Sequence, residues 1–366
     1  MAKSKIRNIA ILTGGGDCPG LNAVIRAVTK TAINKYHLNV FGIEDGYRGL
    51  IENRIFPLTF ANASGILDVG GTILGSCNKS NPFKFPVKTA SGKTVMKDVS
   101  DLCMQNLAER NVDALICVGG DGTMTSAADF AKKGMPVMGV PKTIDNDVYG
   151  TDTTFGFDTA VYTATDALDK LHTTASSHHR IMIVEVMGRY AGWIALYSGI
   201  AGGADVILMP EFPYDIKKVC DYVIERGKVG KKFSIIVVAE GAKPKGGHMV
   251  ISKTDNNSPD PIKLGGIANV LSEQISHLTG LDTRATILGH VQRGGTPTPR
   301  DRQLGTMFGY LAVDYLMKGV KNQLVILNDN HPGCVPLAKI RGKIKTVKPN
   351  DPMVLAAKAV KTSFGV

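Results

Sequence analysis

Two short segments carry acids where chemistry can use them. In Val118-Gly119-Gly120-Asp121-Gly122-Thr123 a carboxylate stands among glycines, where the apolar stretch Val112 to Val118 gives way to a helical pattern. In Pro141-Lys142-Thr143-Ile144-Asp145-Asn146-Asp147 two more carboxylates follow the apolar run Pro136 to Val140. Three acids at the ends of neighbouring strands can hold a magnesium ion and take up a hydroxyl proton, which is the chemistry of moving a phosphoryl group. Asp145 and Asp147 lie two apart, so in an extended segment they point the same way. One can accept a proton while the other holds metal-bound water, with Asn146 fixing the turn between them. The plainer readings are a helix cap for Asp121 and an Asx-rich loop for the pair. An inert loop leaves unexplained why Lys142 and Thr143 stand directly before it, offering a cation and a hydroxyl.

A second glycine-rich turn, Thr13-Gly14-Gly15-Gly16-Asp17-Cys18-Pro19-Gly20, follows the first apolar run and opens the first helical one. Glycines there let backbone N–H groups approach phosphate oxygens at a helix N-terminus. Pro19 interrupts a dinucleotide fingerprint, and no Lys-Ser/Thr of a P-loop follows. Gly122, lacking a side chain, leaves room beside Asp121 for the α-phosphate of a nucleotide or for something smaller. Further on, Arg180, Met187-Gly188-Arg189, Glu240, Arg284, and His290 with Arg293 lie at or beside predicted strand ends. Arg180, Arg284, His290 and Arg293 suit a phosphate dianion, and Glu240 suits sugar hydroxyls.

The elements that must position these groups alternate. Strands are predicted at Ile6 to Thr13, Leu38 to Ile43, Val112 to Val118, Pro136 to Val140, Ile181 to Val186, Val206 to Met209, Ser234 to Ala239 and Thr283 to Leu288. Helices are predicted at Leu21 to Lys35, Thr123 to Lys133, Thr159 to Ala175, Gly192 to Gly202, Asp215 to Arg226, Gly266 to Leu278 and Pro299 to Lys318. This alternation argues an α/β fold with a mainly parallel sheet. Asn78 to Asp98 and Lys243 to Pro261 read as mobile or hairpin segments.

A chain of 366 residues, 43% hydrophobic, supports two core-bearing lobes. No apolar run approaches the ~20 residues that cross a bilayer. Met1 to Lys5 leads into a strand rather than a signal sequence, so a cytoplasmic protein without a membrane partner is expected. The net charge of +11 is spread without aromatic interleaving or a nucleic-acid motif, which suits anionic small molecules rather than nucleic acid. The Lys339 to Lys348 stretch reads as a solvated face. Six cysteines without a Cys-x-x-Cys pair read as reduced, mostly buried thiols.

Across roughly Ile6 to Lys318 the chain resembles the phosphofructokinase family. The resemblance rests on Gly14 to Asn22, Asp45-Gly46-Tyr47, Gly71-Thr72-Ile73-Leu74-Gly75, Gly119 to Thr123, Pro141 to Asp147, Ser176 to Arg180, Met187 to Arg189, Gly202 to Asp205 and Leu288 to Gly295. It implies two similar three-layer α/β lobes with an active site in the cleft between them. The donor lobe would be residues 1–155 with a return segment near 292–345, and the sugar-phosphate lobe 156–291. The implied reaction moves the ATP γ-phosphoryl group to the 1-hydroxyl of fructose 6-phosphate, with Mg2+.

By position, Asp145 would be the general base, helped by Thr143 and Arg189, and Asp121 and Asp147 would serve the metal. Gly15, Tyr47, Lys79, Gly120, Asp121, Gly122 and Thr123 would line the donor site. Thr143, Asp145, Met187, Gly188, Arg189, Glu240, His290 and Arg293 would contact the sugar phosphate. The counterparts of Arg180 and Arg284 reach in from a neighbouring subunit, which implies a homodimer or tetramer. Pyrophosphate-using members usually carry Asp at Gly122 and Lys at Lys142, so Gly122 with Lys142 is a mixed pattern that favours ATP. Three positions depart from bacterial relatives: Lys79 stands near an expected Arg, Ser126 replaces a Gly, and His172 replaces an effector-site Arg although Lys231 and Lys232 remain.

Other readings make different demands. A pyrophosphate-dependent enzyme acting on fructose 6-phosphate or a related sugar or polyol uses the same acids. The Gly-Gly-Asp-Gly-Thr turn is also similar to the NAD kinase and lipid kinase families, which lack the Arg180-to-Arg293 cluster. A dinucleotide oxidoreductase would use Glu44 or Asp45 on a ribose but meets the break at Pro19. A non-catalytic relative that only binds sugar phosphate would have no need of all three acids.

Overall fold

Alternating side chains along the strands set the layers. Ile9 and Ile11 enter one core cluster, with Ile116 and Val118, while Ala10 and Leu12 enter another, with Leu115 and Cys117. A strand apolar on both faces belongs in the middle of a sheet covered on both sides. The computed structural model describes residues 6–89, 92–254 and 262–366. The reading of Met1 to Lys5 as a strand lead-in lies outside the described residues.

In chain order the first half comprises β1 (Asn8–Thr13), α1 (Leu21–Tyr36), β2 (Asn39–Ile43), α2 (Tyr47–Ile51), β3 (Ile55–Leu58), β4 (Phe85–Lys88), β5 (Thr94–Lys97), α3 (Ser100–Ala108), β6 (Ala114–Gly119), α4 (Asp121–Lys132) and β7 (Val137–Pro141). Next come α5 (Phe157–His178), β8 (Ile181–Val186), α6 (Trp193–Ala201), β9 (Val206–Leu208), α7 (Ile216–Lys228), β10 (Ser234–Ala239), β11 (Ile251–Thr254), β12 (Ile262–Leu264), α8 (Ile267–Thr279) and β13 (Thr283–Ile287). A 3-10 turn, Gly289–Arg293, leads to α9 (Pro299–Met317), β14 (Gln323–Asn328), β15 (His331–Pro336), α10 (Leu337–Ile340) and α11 (Pro352–Ala359).

Two sheets organise the molecule. The larger has seven strands in the order β15-β14-β7-β6-β1-β2-β3, parallel except at its two edges. The smaller, β13-β8-β10-β9, is wholly parallel. One core cluster is continuous across both, taking Val184 and Val237 of the smaller sheet together with Ile116 and Val140 of the larger. The helices α5 and α9 join the halves at their N-termini. Buried Asp301 accepts from the Thr159 amide and hydroxyl (2.9 and 2.6 Å), while the Thr298 hydroxyl donates to Asp158 (2.5 Å). Asp301 of α9 thus takes up an unsatisfied amide in the first turn of α5, and Asp158 of α5 holds the Thr298 hydroxyl that caps α9.

All eight predicted strands and seven predicted helices form, with ends moved by three residues or fewer. Both hairpin segments contain antiparallel pairs, β4 with β5 and β11 with β12. Residues 90–91 and 255–261 of those segments lie outside the described residues. The cysteines carry free thiols, with Cys18, Cys103, Cys117 and Cys220 buried. Among the described residues no helix is long and apolar enough to cross a membrane.

Candidate active site

The strand order reverses at β1, which has β2 on one side and β6 on the other. Loops leaving the carboxyl ends of strands at such a switch point open a crevice, where open α/β sheets bind ligands. Here those loops are the two glycine-rich turns. Gly15, Gly16, Gly120, Asp121, Gly122 and Thr123 wall a cleft of about 240 Å3, closed further by Tyr47, Lys142, Thr143 and Arg293. The glycines serve a close approach: a Cβ on Gly119 would stand 2.3 Å from the Thr123 hydroxyl oxygen. At Gly122 the situation is opposite, since a Cβ there meets no atom within 4 Å.

Lys142, almost fully buried, donates from its ammonium to the Gly16 carbonyl and so ties the loop after β7 to the loop after β1. Burial pulls its pKa below the usual lysine value. The Tyr47 hydroxyl is already committed, donating to the Thr123 carbonyl (2.9 Å), so Tyr47 supports the cleft floor with its ring against Phe130. Lys79 is exposed and does not line the cleft; Cys77, Asn78, Ser80 and Asn81 from the same loop do.

The acids act on one another through their charges. Burial, then the charge of Asp147, raises the Asp121 pKa. The same two causes raise Asp145 well above the usual carboxylate range, and Asp145 Oδ1 is buried without a hydrogen-bond partner. Asp147 is also raised by burial, against the pull of the Thr143 hydroxyl. The loop is shaped by the Asp145 amide donating to Thr143 Oγ1 (3.0 Å) and by Asn146 in the left-handed region at φ 51. Among the described residues no three His, Cys, Asp or Glu side chains come close enough to hold a metal by themselves. The expectation of three acids closing on one cation therefore narrows to pairs that share Asp147.

Asp145 also feels groups from the other half of the chain, Arg293 and Glu240. Glu240 follows β10, and burial, then Glu185, lifts its pKa. Met187, Gly188 and Arg189 follow β8 beside it, with the Gly241 amide donating to the Gly188 carbonyl (3.1 Å) and the Arg189 guanidinium over the Tyr190 ring. His290 is exposed on the 3-10 turn. Arg293, expected among the sugar-phosphate contacts, donates to the Asp17 carbonyl (3.2 Å) and forms part of the wall of the glycine-lined cleft.

Arg180 and Arg284 are not brought to this site within one chain. They stand at the opposite, N-terminal ends of β8 and β13, both bound to Asp282. A six-residue strand separates that edge from Met187, roughly 20 Å at strand rise.

Two buried polar residues have roles that the sequence does not assign. Gln292 accepts from the Met187 amide (3.2 Å) and donates to the Gly289 carbonyl (3.0 Å), pinning the 3-10 turn to the end of β8. Glu185 accepts from the Gly266 and Ala268 amides (3.0 Å each) at the start of α8. A lone Glu inside the apolar run Ile181 to Val186 was the available signal for the second.

Fold and site together define an α/β protein with a glycine-walled cleft set beside buried carboxylates. The chain belongs to the phosphofructokinase family, whose model matches residues 8–316. It is 56% identical over 360 residues to ATP-dependent 6-phosphofructokinase 2 of Clostridium perfringens, covering 98% of each chain. It is 48% identical over 342 residues to the pyrophosphate--fructose 6-phosphate 1-phosphotransferase of Streptomyces coelicolor, covering 93% of this chain and 96% of that one. Its fold matches the T-state phosphofructokinase of Pichia pastoris with a TM-score of 0.78 at 31% identity, over 93% of this chain and 38% of that longer one.

Proposed function

We propose that this protein is a 6-phosphofructokinase that transfers the γ-phosphoryl group of ATP to the 1-hydroxyl of fructose 6-phosphate. The observation that carries this reading is Asp145, a part-buried carboxylate with an unsatisfied oxygen at the junction of donor-side and acceptor-side groups. The 1-hydroxyl oxygen attacks the γ-phosphorus, its proton passes to Asp145, and ADP leaves with the electron pair of the broken P–O bond. A base with a raised pKa holds that proton near neutral pH more readily than an ordinary Asp. Thr143 and Arg189 flank the transferring group, Met187, Gly188, Glu240 and His290 hold the sugar phosphate, and Arg293 reaches it from the wall of the glycine-lined cleft.

The family's enzymes generally need a divalent metal, and we assign Mg2+. The residues fit such an ion when substrate phosphates complete its shell, because Mg2+ commonly takes one or two carboxylates and keeps phosphate or water oxygens elsewhere. Asp121 and Asp147 would hold it, and when bound it would offset charge on the phosphates.

We take residues 1–155 with the return segment near 292–345 as the donor lobe and 156–291 as the acceptor lobe. Arg180 and Arg284, remote from their own chain's site, would serve the site of a second copy, so the working enzyme is a homodimer or tetramer. A role in glycolysis places it in the cytoplasm.

Donor choice rests on Gly122. Its open surroundings admit a nucleotide α-phosphate, whereas Lys142 assists either donor. Pyrophosphate is the second reading, because a relative 48% identical to this chain is a pyrophosphate--fructose 6-phosphate 1-phosphotransferase. Purified protein assayed with fructose 6-phosphate and either donor separates them: turnover with ATP is expected, and turnover with pyrophosphate alone overturns the donor assignment.

A further inference from the structure

The acid-bearing loop is gripped from outside by a segment far along the chain. Ile344 forms an antiparallel bridge with Val148, and the Lys345 amide donates to the Asp147 carbonyl (2.8 Å). The Lys345 ammonium donates to the carbonyls of Thr151 (3.0 Å) and Asp152 (2.7 Å). The Asp152 carbonyl is also the acceptor for the side-chain amide of buried Asn146 (3.3 Å), the residue between the two acids. One ammonium thus fixes the carbonyl from which Asn146 hangs, and one amide fixes the carbonyl of Asp147. Removing the ammonium would take this donor from the carbonyl of buried Thr151 and leave the Asp152 carbonyl with the Asn146 amide alone, which loosens the loop.

The same segment is anchored at its other side to the acceptor half. The Lys345 carbonyl accepts from the Trp193 indole N–H (3.0 Å), and the ammonium lies 5.2 Å from the centre of the Trp193 ring. Two residues on, the Val347 amide donates to Glu211 (2.9 Å), which also accepts from Gly192 (3.1 Å). Gly192 and Trp193 begin α6, three and four residues beyond Arg189. Lys345 therefore touches the loop of Asp145 and Asp147 with two of its donors and the stretch after Met187-Gly188-Arg189 with its carbonyl.

We propose that Lys345 is a positioning residue for phosphoryl transfer, and that the strap around it sets the Asp145–Asp147 loop against the acceptor groups that follow β8. The inference rests on the kinase reading of the site. Its physical basis is that displacement of a reacting group by about 1 Å can cost on the order of 10²-fold in rate. A strap that spans both halves is the kind of contact that prevents such displacement.

The chain contains one tryptophan, Trp193, so intrinsic fluorescence reads the strap directly. In Lys345→Met, kcat with ATP and fructose 6-phosphate should fall at least about tenfold while both KM values stay within about twofold. Its tryptophan emission should shift, and Lys345→Arg should restore most of kcat. Trp193→Phe keeps a ring but frees the strap carbonyl, and should lower kcat in the same sense by a smaller factor. An unchanged kcat in Lys345→Met with shifted emission overturns the proposal. So does a loss of kcat matched by rising KM and not restored by Lys345→Arg, which marks general loosening. If Lys345→Met fails to fold, Trp193→Phe decides: a lower kcat at unchanged KM upholds the strap, and parent kinetics overturn it. Absence of turnover in the parent protein would instead count against the kinase reading.

Discussion

Asp145 is held in a condition that favours chemistry over stability. Its ionised form gains no hydrogen bond at Oδ1 and sits beside another acid, so its folded pKa lies above the unfolded value of about 3.9. A raised carboxyl pKa means that ionisation opposes folding, and the cost grows as pH rises through that interval. Asp145→Asn should therefore lower kcat by about 10²-fold to 10⁴-fold, with KM for fructose 6-phosphate nearly unchanged. Its melting temperature at neutral pH should match or exceed that of the parent. Near-normal turnover would remove Asp145 from the mechanism. Gly122 offers a second test, because an added side chain meets only open cleft and an Asp in the first turn of α4 suits the helix dipole. Gly122→Asp should fold normally yet raise KM for ATP by about tenfold or more through like-charge repulsion with the nucleotide phosphates. Unchanged ATP kinetics would dissociate this position from donor choice. These acids and glycines were legible in the sequence because their signal is local, a carboxylate beside glycines at the end of an apolar run. The placing of Arg293 on the cleft wall, Gln292 under the 3-10 turn and Lys345 over the acid loop was not legible, because each acts on chain more than a hundred residues away.

The helices α1 and α9 pack along one another beside the larger sheet, and a single acid is shared across the pair. Asp314, with its side chain 3% exposed, accepts from Lys35 and Lys318 (2.7 Å each), Tyr36 (2.6 Å) and Tyr310 (3.1 Å). Burial alone would raise its pKa, but those four donors hold it well below the usual carboxylate range. A lowered folded pKa gives stability that is complete above the unfolded value of about 3.9 and is lost as pH falls toward the folded one. Asp314→Asn should cost about 1–3 kcal/mol at neutral pH, at the lower end because both lysines are half exposed or more. Thermal unfolding at neutral pH and at about pH 3 checks the sign: the gap between parent and variant should narrow in acid. A gap that stays constant would show that charge is not its source. The periodic elements of this scale, α1 and α9 among them, were readable from sequence because their apolar faces repeat. The elements the reading passed over are short or peripheral. β3 and β15 are edge strands of mixed polarity, α3 is nine residues long, and α10 has four. β14, though largely buried, follows α9 with no chemistry to draw notice, and its place beside β7 depends on a return of the chain that local pattern does not encode.

For the molecule as a whole, the arginines at the wrong end of the smaller sheet are the decisive feature. Arg180 and Arg284 share Asp282 at the edge opposite Met187 and Glu240, and no motion within a packed sheet carries a side chain across its length. If they bind the sugar phosphate, they do so in a second copy related by a closed symmetry, so each site takes Asp145 from one chain and Arg284 from the other. Mixing two defective proteins tests this without knowledge of the interface. Asp145→Asn alone has no base, and Arg284→Ser alone should lose about 10- to 100-fold in affinity for fructose 6-phosphate through loss of a charged hydrogen bond. In a mixed dimer one site collects both lesions and the other collects neither. Unfolding and refolding the two variants together at equal concentration should therefore restore up to about a quarter of parental activity at low fructose 6-phosphate, the fraction of sites free of both changes. Refolded separately and then combined without exchange, they should show no more than the small residual activity of the Arg284 variant. If co-refolded protein is no more active than the sum of its parts while size measurements show mixed oligomers, Arg284 acts within its own chain or not at all.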